Sequence, residues 1–190
     1  MRKIIAALVV SVDGFIEGPH GELDWVDAWE DQFDLLPQID TCILGRGMYP
    51  GYEQYWSAVL ANPEGAVPFS GTVPTKGEIA YAHFAARTPH IVLSRTLDKV
   101  AWKNTRIVRD VEEIRQMQQQ PGKDMHAVGG ATLVGSLMNR GLIDELRLVV
   151  HPTVLGGGKP LFKDVTERHA LKFLGAKPLE SGLVRLTCST

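Results

Sequence analysis

The sequence predicts an α/β protein: a mostly parallel sheet flanked by helices and finished by an antiparallel C-terminal hairpin. Three observations carry this. Strand-like and helix-like stretches alternate along most of the chain, the pattern of a parallel sheet with crossover helices. The first apolar run, Ile4–Val10, is continuous rather than alternating, as a strand buried on both faces must be. The chain then ends on two strand-like stretches with no helix between them, His169–Pro178 and Leu183–Ser189 around Glu180-Ser181-Gly182.

Composition narrows the class. The chain has 190 residues, enough for one domain, which we place over 1–190. It is 44% hydrophobic and 22% charged, ordinary for a globular protein. A formal net charge of −2 gives no reason to expect nucleic acid or an anionic membrane as partner. The N-terminal apolar run stops at Ser11 and Asp13 without a small-residue cleavage site, and no stretch is long enough to span a bilayer. Cys42 and Cys188 lie in apolar runs and read as reduced core residues, so a cytoplasmic location is expected.

The elements follow in order. After the first strand, Ser11–Ile16 leads into a loop with glycine and proline, Glu17–Leu23. Asp13 stands where a buried strand meets that loop. It is either a turn-former or an acid at the mouth of a cleft, and position alone favours the turn-former. Asp27-Ala28-Trp29-Glu30 has the capping-box pattern and predicts a helix that Pro37 closes. Thr41–Leu44 predicts a second buried strand. Gly45-Arg46-Gly47-Met48-Tyr49 then opens a short helix, with backbone N–H groups and one guanidinium available to an anion. Trp56–Thr75 reads as a long loop with Pro63, Pro68 and Pro74. Thr75-Lys76-Gly77-Glu78 is a second capping box, and its helix ends before Pro89.

His90–Leu93 predicts a third strand, ending in Ser94-Arg95-Thr96, which is either a phosphate contact or an ordinary polar loop. Asp110-Val111-Glu112-Glu113 starts another helix, which Pro121-Gly122 ends. Met125–Val128 predicts a buried strand, followed by Gly129-Gly130 and a helix carrying Leu133, Val134, Leu137 and Met138. A glycine pair at this place is either a tight turn or a close approach to an anion such as pyrophosphate. Gly141 stops the helix, and from Leu142 the apolar period becomes two.

Several chemistries are excluded. Gly156-Gly157-Gly158-Lys159 fails as a phosphate loop, because Thr153 and Pro160 stand where glycine and serine or threonine belong. The six histidines are scattered and no cysteine pair exists, so no metal site is expected. There is no Gly-x-Ser-x-Gly elbow and no Gly-x-Gly-x-x-Gly fingerprint.

The order Ile5-Ala6-Ala7-Leu8, Ser11-Val12-Asp13-Gly14, Asp24-Trp25, Leu44-Gly45-Arg46-Gly47-Met48-Tyr49, Leu93-Ser94-Arg95, Val128-Gly129-Gly130, Asp144-Glu145-Leu146 and Leu161-Phe162 resembles the dihydrofolate-reductase-like superfamily. Within it, the chain looks closest to the reductase domain of bifunctional riboflavin-biosynthesis proteins and its stand-alone relatives. The resemblance implies a mixed eight-stranded sheet with NADPH across its C-terminal edge. Gly45, Arg46, Gly47 and Met48, with Gly129, Gly130, Ala131 and Thr132, would cradle the pyrophosphate. Ser94 and Arg95 would meet the 2′-phosphate, and Ala6 and Ala7 would line the nicotinamide side. Asp13 matches the aspartate near the reacting carbon, which turns the balance toward the acid. The implied activity is reduction of a C=N or C=O carbon in a small heterocyclic or ribosylated substrate, as in 5-amino-6-(5-phosphoribosylamino)uracil reductase. Trp25 and Tyr49 are candidates to stack on that substrate, or else plain core aromatics. Members of this branch are commonly homodimers, and the closing hairpin offers a strand for such pairing.

Two departures matter. The acid that binds the pterin in dihydrofolate reductases has no clear counterpart; Glu30 is nearest and Asp27 next, which counts against folate reduction. The zinc deaminase signature is absent from the sequence, so a deaminase step would be carried out elsewhere. The competing readings are an NADPH-binding module without turnover and a structural dimer that uses only the fold.

Overall fold

The computed structural model describes residues 1–26, 31–67, 71–179 and 182–190. The elements run β1 (Ile4–Ser11), β2 (Phe15–Glu17), β3 (Ile39–Gly45), α1 (Tyr49–Ala61), α2 (Lys76–Arg87), β4 (His90–Leu93), β5 (Thr105–Val108), α3 (Val111–Gln118), β6 (Asp124–Gly129), α4 (Ala131–Met138), β7 (Glu145–His151), β8 (Lys159–Pro160), β9 (Lys172–Pro178) and β10 (Val184–Ser189). Eight strands form one sheet in the order β5-β4-β3-β6-β1-β7-β10-β9, and β2 pairs with β8 separately. Pairing is parallel from β5 to β7 and antiparallel through β10 and β9. This is the mixed eight-stranded sheet with a C-terminal hairpin that the resemblance implies.

β1 is central because it is apolar on both faces. Ile4, Ala6, Leu8 and Val10 pack toward α3 and α4, while Ile5 and Ala7 pack toward α1 and α2. Trp56, 2% exposed, is the largest fully buried side chain, and removing one of this kind costs about 3–5 kcal/mol. The edge strand β9 is different: Phe173 and Leu174 stand 62% and 50% exposed.

Two expectations are corrected. The segment read as a loop from Trp56 onward is helical to Ala61. Tyr52, Trp56 and Val59 form a buried stripe at helical spacing, and the prolines come only after it. The helix expected to open at Asp27–Glu30 has its start outside the described residues, and 31–38 is built of turns. There the Asp31 carboxylate accepts the Leu35 and Leu36 N–H groups at 2.8 and 2.9 Å, displacing helical bonds. Asp34 adds a left-handed residue, φ 53°. β5 is an element that the sequence reading missed. The capping boxes at Thr75 and Asp110 are both formed.

Two histidines are buried in this sheet. His126 donates from Nε2 to the Ala7 carbonyl at 3.3 Å, and His90 bonds the Thr88 carbonyl through Nδ1 at 2.7 Å. Desolvation pushes both imidazoles down to about 4. In the unfolded chain a histidine takes its proton near pH 6.5. Between those values the unfolded state binds more protons, so stability falls as pH falls from about 6.5 to about 4. Each histidine accounts for a loss on the order of 3 kcal/mol over that window. Urea denaturation from pH 7 to pH 4.5 should show this slope. A variant carrying His90→Asn and His126→Asn should lose most of it, whatever its absolute stability. A flat wild-type profile would rule out two neutral buried imidazoles.

Candidate active site

Parallel pairing brings the carboxyl ends of six strands to one edge. Gly45 of β3 lies beside Leu93 of β4, Leu93 beside Val108 of β5, Leu44 beside Gly129 of β6, and Ser11 of β1 beside His151 of β7. Ligands of open α/β sheets bind outside such an edge.

One half of the edge is made of backbone. The Gly45 turn packs against the start of α4: a Cβ at Gly45 would meet Leu133 Cβ at 3.4 Å and Gly130 N at 3.8 Å. Gly129 has φ 128°, and a Cβ there would press on Leu8 Cδ2 at 3.0 Å and Met48 Sδ at 3.5 Å. Only glycine fits. The Gly129–Gly130 peptide is cis. In front of Gly47 and Gly130 there is open space within 4 Å of an added Cβ. Both helices that start here lack a side-chain cap: α1 begins at Met48 and α4 at Gly130. The other two helices, α2 and α3, have complete capping boxes. First-turn N–H groups without a cap remain available to an external acceptor. Arg46 and Arg95 are exposed and have no hydrogen-bond or ion-pair partner among the described residues.

The sequence-derived residues are partly rearranged. Ser94 is buried, and its Oγ accepts the Thr96 and Leu97 N–H groups at 3.2 and 2.9 Å, so it shapes the turn that presents Arg95. Arg109, missed by the sequence reading, donates to the Ser94 carbonyl at 2.8 Å and adds a second guanidinium there. Its signal was β5, whose four residues were too short to read. The Thr132 hydroxyl bonds Asp164, whose carboxyl is held below its usual range first by Lys163 and then by Thr132. Tyr49 is 4% exposed, and its hydroxyl accepts the Ala101 and Trp102 N–H groups. The structure therefore makes Tyr49 a core anchor with no face to offer a substrate.

The other half is made of side chains. The Asp13 carboxylate accepts Ser11 Oγ–H at 2.7 Å, Leu155 N–H at 3.2 Å and Gly156 N–H at 2.8 Å. The Ser11 bond is the main cause of its lowered pKa, with the two amides adding to it. Trp25 is 9% exposed; it donates from Nε1 to the Glu22 carbonyl and sets its ring edge-on to His151, centroids 5.6 Å apart. His151 is half-buried and bonds Thr153 Oγ1 through Nδ1 at 2.8 Å, so it stands at the cleft rather than in the core. Glu30 and Asp27 lie outside the described residues.

A lid crosses this half. Val12 N–H reaches Thr153 O, Leu161 N–H reaches Gly14 O, and β2 pairs with β8. Lys159 forms an ion pair with Glu17. Gly158 makes the closure possible: its φ is 131°, and an added Cβ would overlap the Glu17 carbonyl and stand 3.0 Å from the Gly18 carbonyl carbon. Gly158→Ala should therefore detach β8 from β2. Limited proteolysis within 12–23 should then run at least about tenfold faster at unchanged global stability. An unchanged cutting rate would mean that the lid does not depend on the β2–β8 pairing.

Comparison with known proteins agrees with this fold. The family model of the RibD C-terminal domain matches residues 2–185. The uncharacterized protein YyaP of Bacillus subtilis (strain 168) is 37% identical over 188 residues, covering 97% of this chain and 93% of its own length. A protein from Shewanella sp. PV-4 assigned to riboflavin biosynthesis superposes with TM-score 0.70 at 20% identity, covering 98% of both chains. Enterococcus faecalis dihydrofolate reductase complexed with NADP(H) gives 0.64 at 19% identity, over 98% of this chain and 95% of that one. The Thermotoga maritima deaminase/5-amino-6-(5-phosphoribosylamino)uracil reductase gives 0.62 at 14% identity, and this chain spans 56% of it. The three structures speak for the fold; the family rests on the sequence matches. With residues 2–185 matched and a near-full-length relative at 37% identity, the chain belongs to the RibD C-terminal domain family.

Proposed function

We propose that this protein is an NADPH-dependent reductase of a C=N or C=O bond in a small heterocyclic substrate. The observation that carries this is the pairing, on one sheet edge, of an uncapped anion-binding half with a lidded half holding Asp13. NADPH bound there supplies a hydride from C4 of its reduced nicotinamide. The Gly45–Gly47 and Gly130–Thr132 amides and Arg46 would hold the pyrophosphate, with the Met48 N–H closing the first turn on the Gly45 carbonyl at 3.1 Å. Arg95, with Arg109 beside it, would take the 2′-phosphate. The β1 backbone at Ala7 would line the nicotinamide side, and the lid would exclude water.

Reduction of a C=N bond also needs a proton at nitrogen. With its lowered pKa, Asp13 is a carboxylate at neutral pH. Its part is to hold a water, or a substrate N–H, so that the proton is delivered along a fixed line. The dimer expected from the resemblance is a separate proposal, with β9 as the pairing strand and sedimentation as its measure.

Fluorescence titration with NADPH and NADH tests the cofactor half. NADPH should bind in the micromolar range and at least about tenfold tighter than NADH, a difference of about 1.4 kcal/mol. Arg95→Ala should erase that preference while leaving NADH binding in place. No binding of either nucleotide overturns the reductase reading. Asp13→Asn should lower turnover at least about a hundredfold with NADPH affinity nearly unchanged; full activity would remove Asp13 from the chemistry.

A further inference from the structure

We propose that the substrate of this site carries no phosphate, and is an uncharged or protonated flat heterocycle rich in N–H groups. This rests on the reductase reading above and concerns the lidded half alone.

Capturing a phosphate needs free N–H donors or cations, and on this half several of those beside the lid are engaged within the chain. The glycine-rich turn before β8 is the natural anion cradle, yet its Leu155 and Gly156 N–H groups already hold the Asp13 carboxylate. Lys159 is paired with Glu17. On the sheet face beneath, Arg147 donates to Glu145 at 2.6 Å, to the Phe33 carbonyl at 2.8 Å and to Gln38 at 3.0 Å. Arg185 holds the Gln32 carbonyl at 3.1 Å and Asp34 at 2.5 Å. Lys177 faces Asp34.

The charge of the lid points the same way. Residues 13–24 contain Asp13, Glu17, Glu22 and Asp24 and neither Lys nor Arg; with Glu17 offset by Lys159, three carboxylates remain. A dianion entering under them meets repulsion, and the Lys159 cation beside them is already offset by Glu17. Carboxylates accept hydrogen bonds, so they suit a ring that presents N–H donors. The cofactor half is the reverse, with Arg46 and Arg95 unpaired among the described residues. One edge thus separates an anion-seeking half from an anion-averse half. The Thermotoga maritima reductase acts on a phosphoribosyl compound; this chain would act on its dephosphorylated counterpart or a ring of that kind.

The test uses 5-amino-6-(ribosylamino)uracil and its 5′-phosphate as a matched pair, with the full-length protein saturated in NADPH. The compound without phosphate should have at least about tenfold higher kcat/KM. The gap should narrow as salt rises from about 0.05 to about 0.5 M, because screening weakens the repulsion. Asp24→Lys should raise kcat/KM for the phosphate alone. Equal or better use of the phosphate overturns the proposal. Should neither compound turn over, calorimetric titration of the NADPH complex with ribose 5-phosphate decides. No saturable heat at millimolar concentration upholds the proposal, and saturable binding overturns it. Failure of the protein to bind NADPH is a separate result, which sinks the reductase reading itself.

Discussion

Where β3 and β6 end, Gly45 and Gly129 set the first turns of α1 and α4 side by side, and the working edge of the molecule follows from that placement. Gly129 faces Leu8 and Met48 at contact distance, and Gly45 faces the first turn of α4. Because no Cβ intervenes, the two turns abut and their helices begin side by side. Because nothing within the chain caps those helices, their first amides point outward. Bulk at Gly129 would meet both a φ of 128° and the Leu8 side chain of β1, the strand on which both core layers pack.

The second organising fact is where the charges are used. Beyond β7 the basic residues serve the fold. Arg147 and Arg185 reach up from adjacent strands and hold the turns at 32–38 by their carbonyls and by Asp34. Arg185 is the first cause of the lowered Asp34 pKa, with Lys177 and Arg147 adding weaker attraction. On the β3–β5 side the guanidiniums are left outward. A protein with one acid–base layout for cohesion and another for recognition needs both to be specified by strand register, since a one-residue slip would exchange the faces.

Much of this was legible in sequence, for identifiable reasons. The capping boxes at Thr75 and Asp110 announce their helices because the pattern states two reciprocal hydrogen bonds. Ile4–Val10 announces a central strand because nothing else tolerates an unbroken apolar run of that length. The pattern at Asp27–Glu30 misled beyond its own residues because Asp31, one step later, captures the Leu35 and Leu36 amides. That is a side-chain competition which periodicity does not register. α1 runs past the expected stop because Trp56 and Val59, which continue the buried stripe of Tyr52, fall in the stretch that Pro63, Pro68 and Pro74 mark as loop. β5 was too short to show a period. Asp13 illustrates the limit most clearly. Position favoured a turn-former and resemblance favoured an acid; the carboxylate is held first by Ser11, two residues back, and then by Leu155 and Gly156, 142 and 143 residues away. A local reading reaches the first of these and not the other two.

The same long reach governs how the molecule is made. β1 is the innermost strand, but its neighbours are β6 and β7, with Ile4 opposite Met125 and Ile5 opposite Glu145. During synthesis at roughly 5–20 residues per second, β1 therefore spends on the order of ten seconds outside the ribosome before β7 exists. For that interval its apolar run from Ile4 to Val10 is exposed on both faces and unpaired. The strand that gives the finished protein its centre is, in the growing chain, the segment with most to gain from a chaperone.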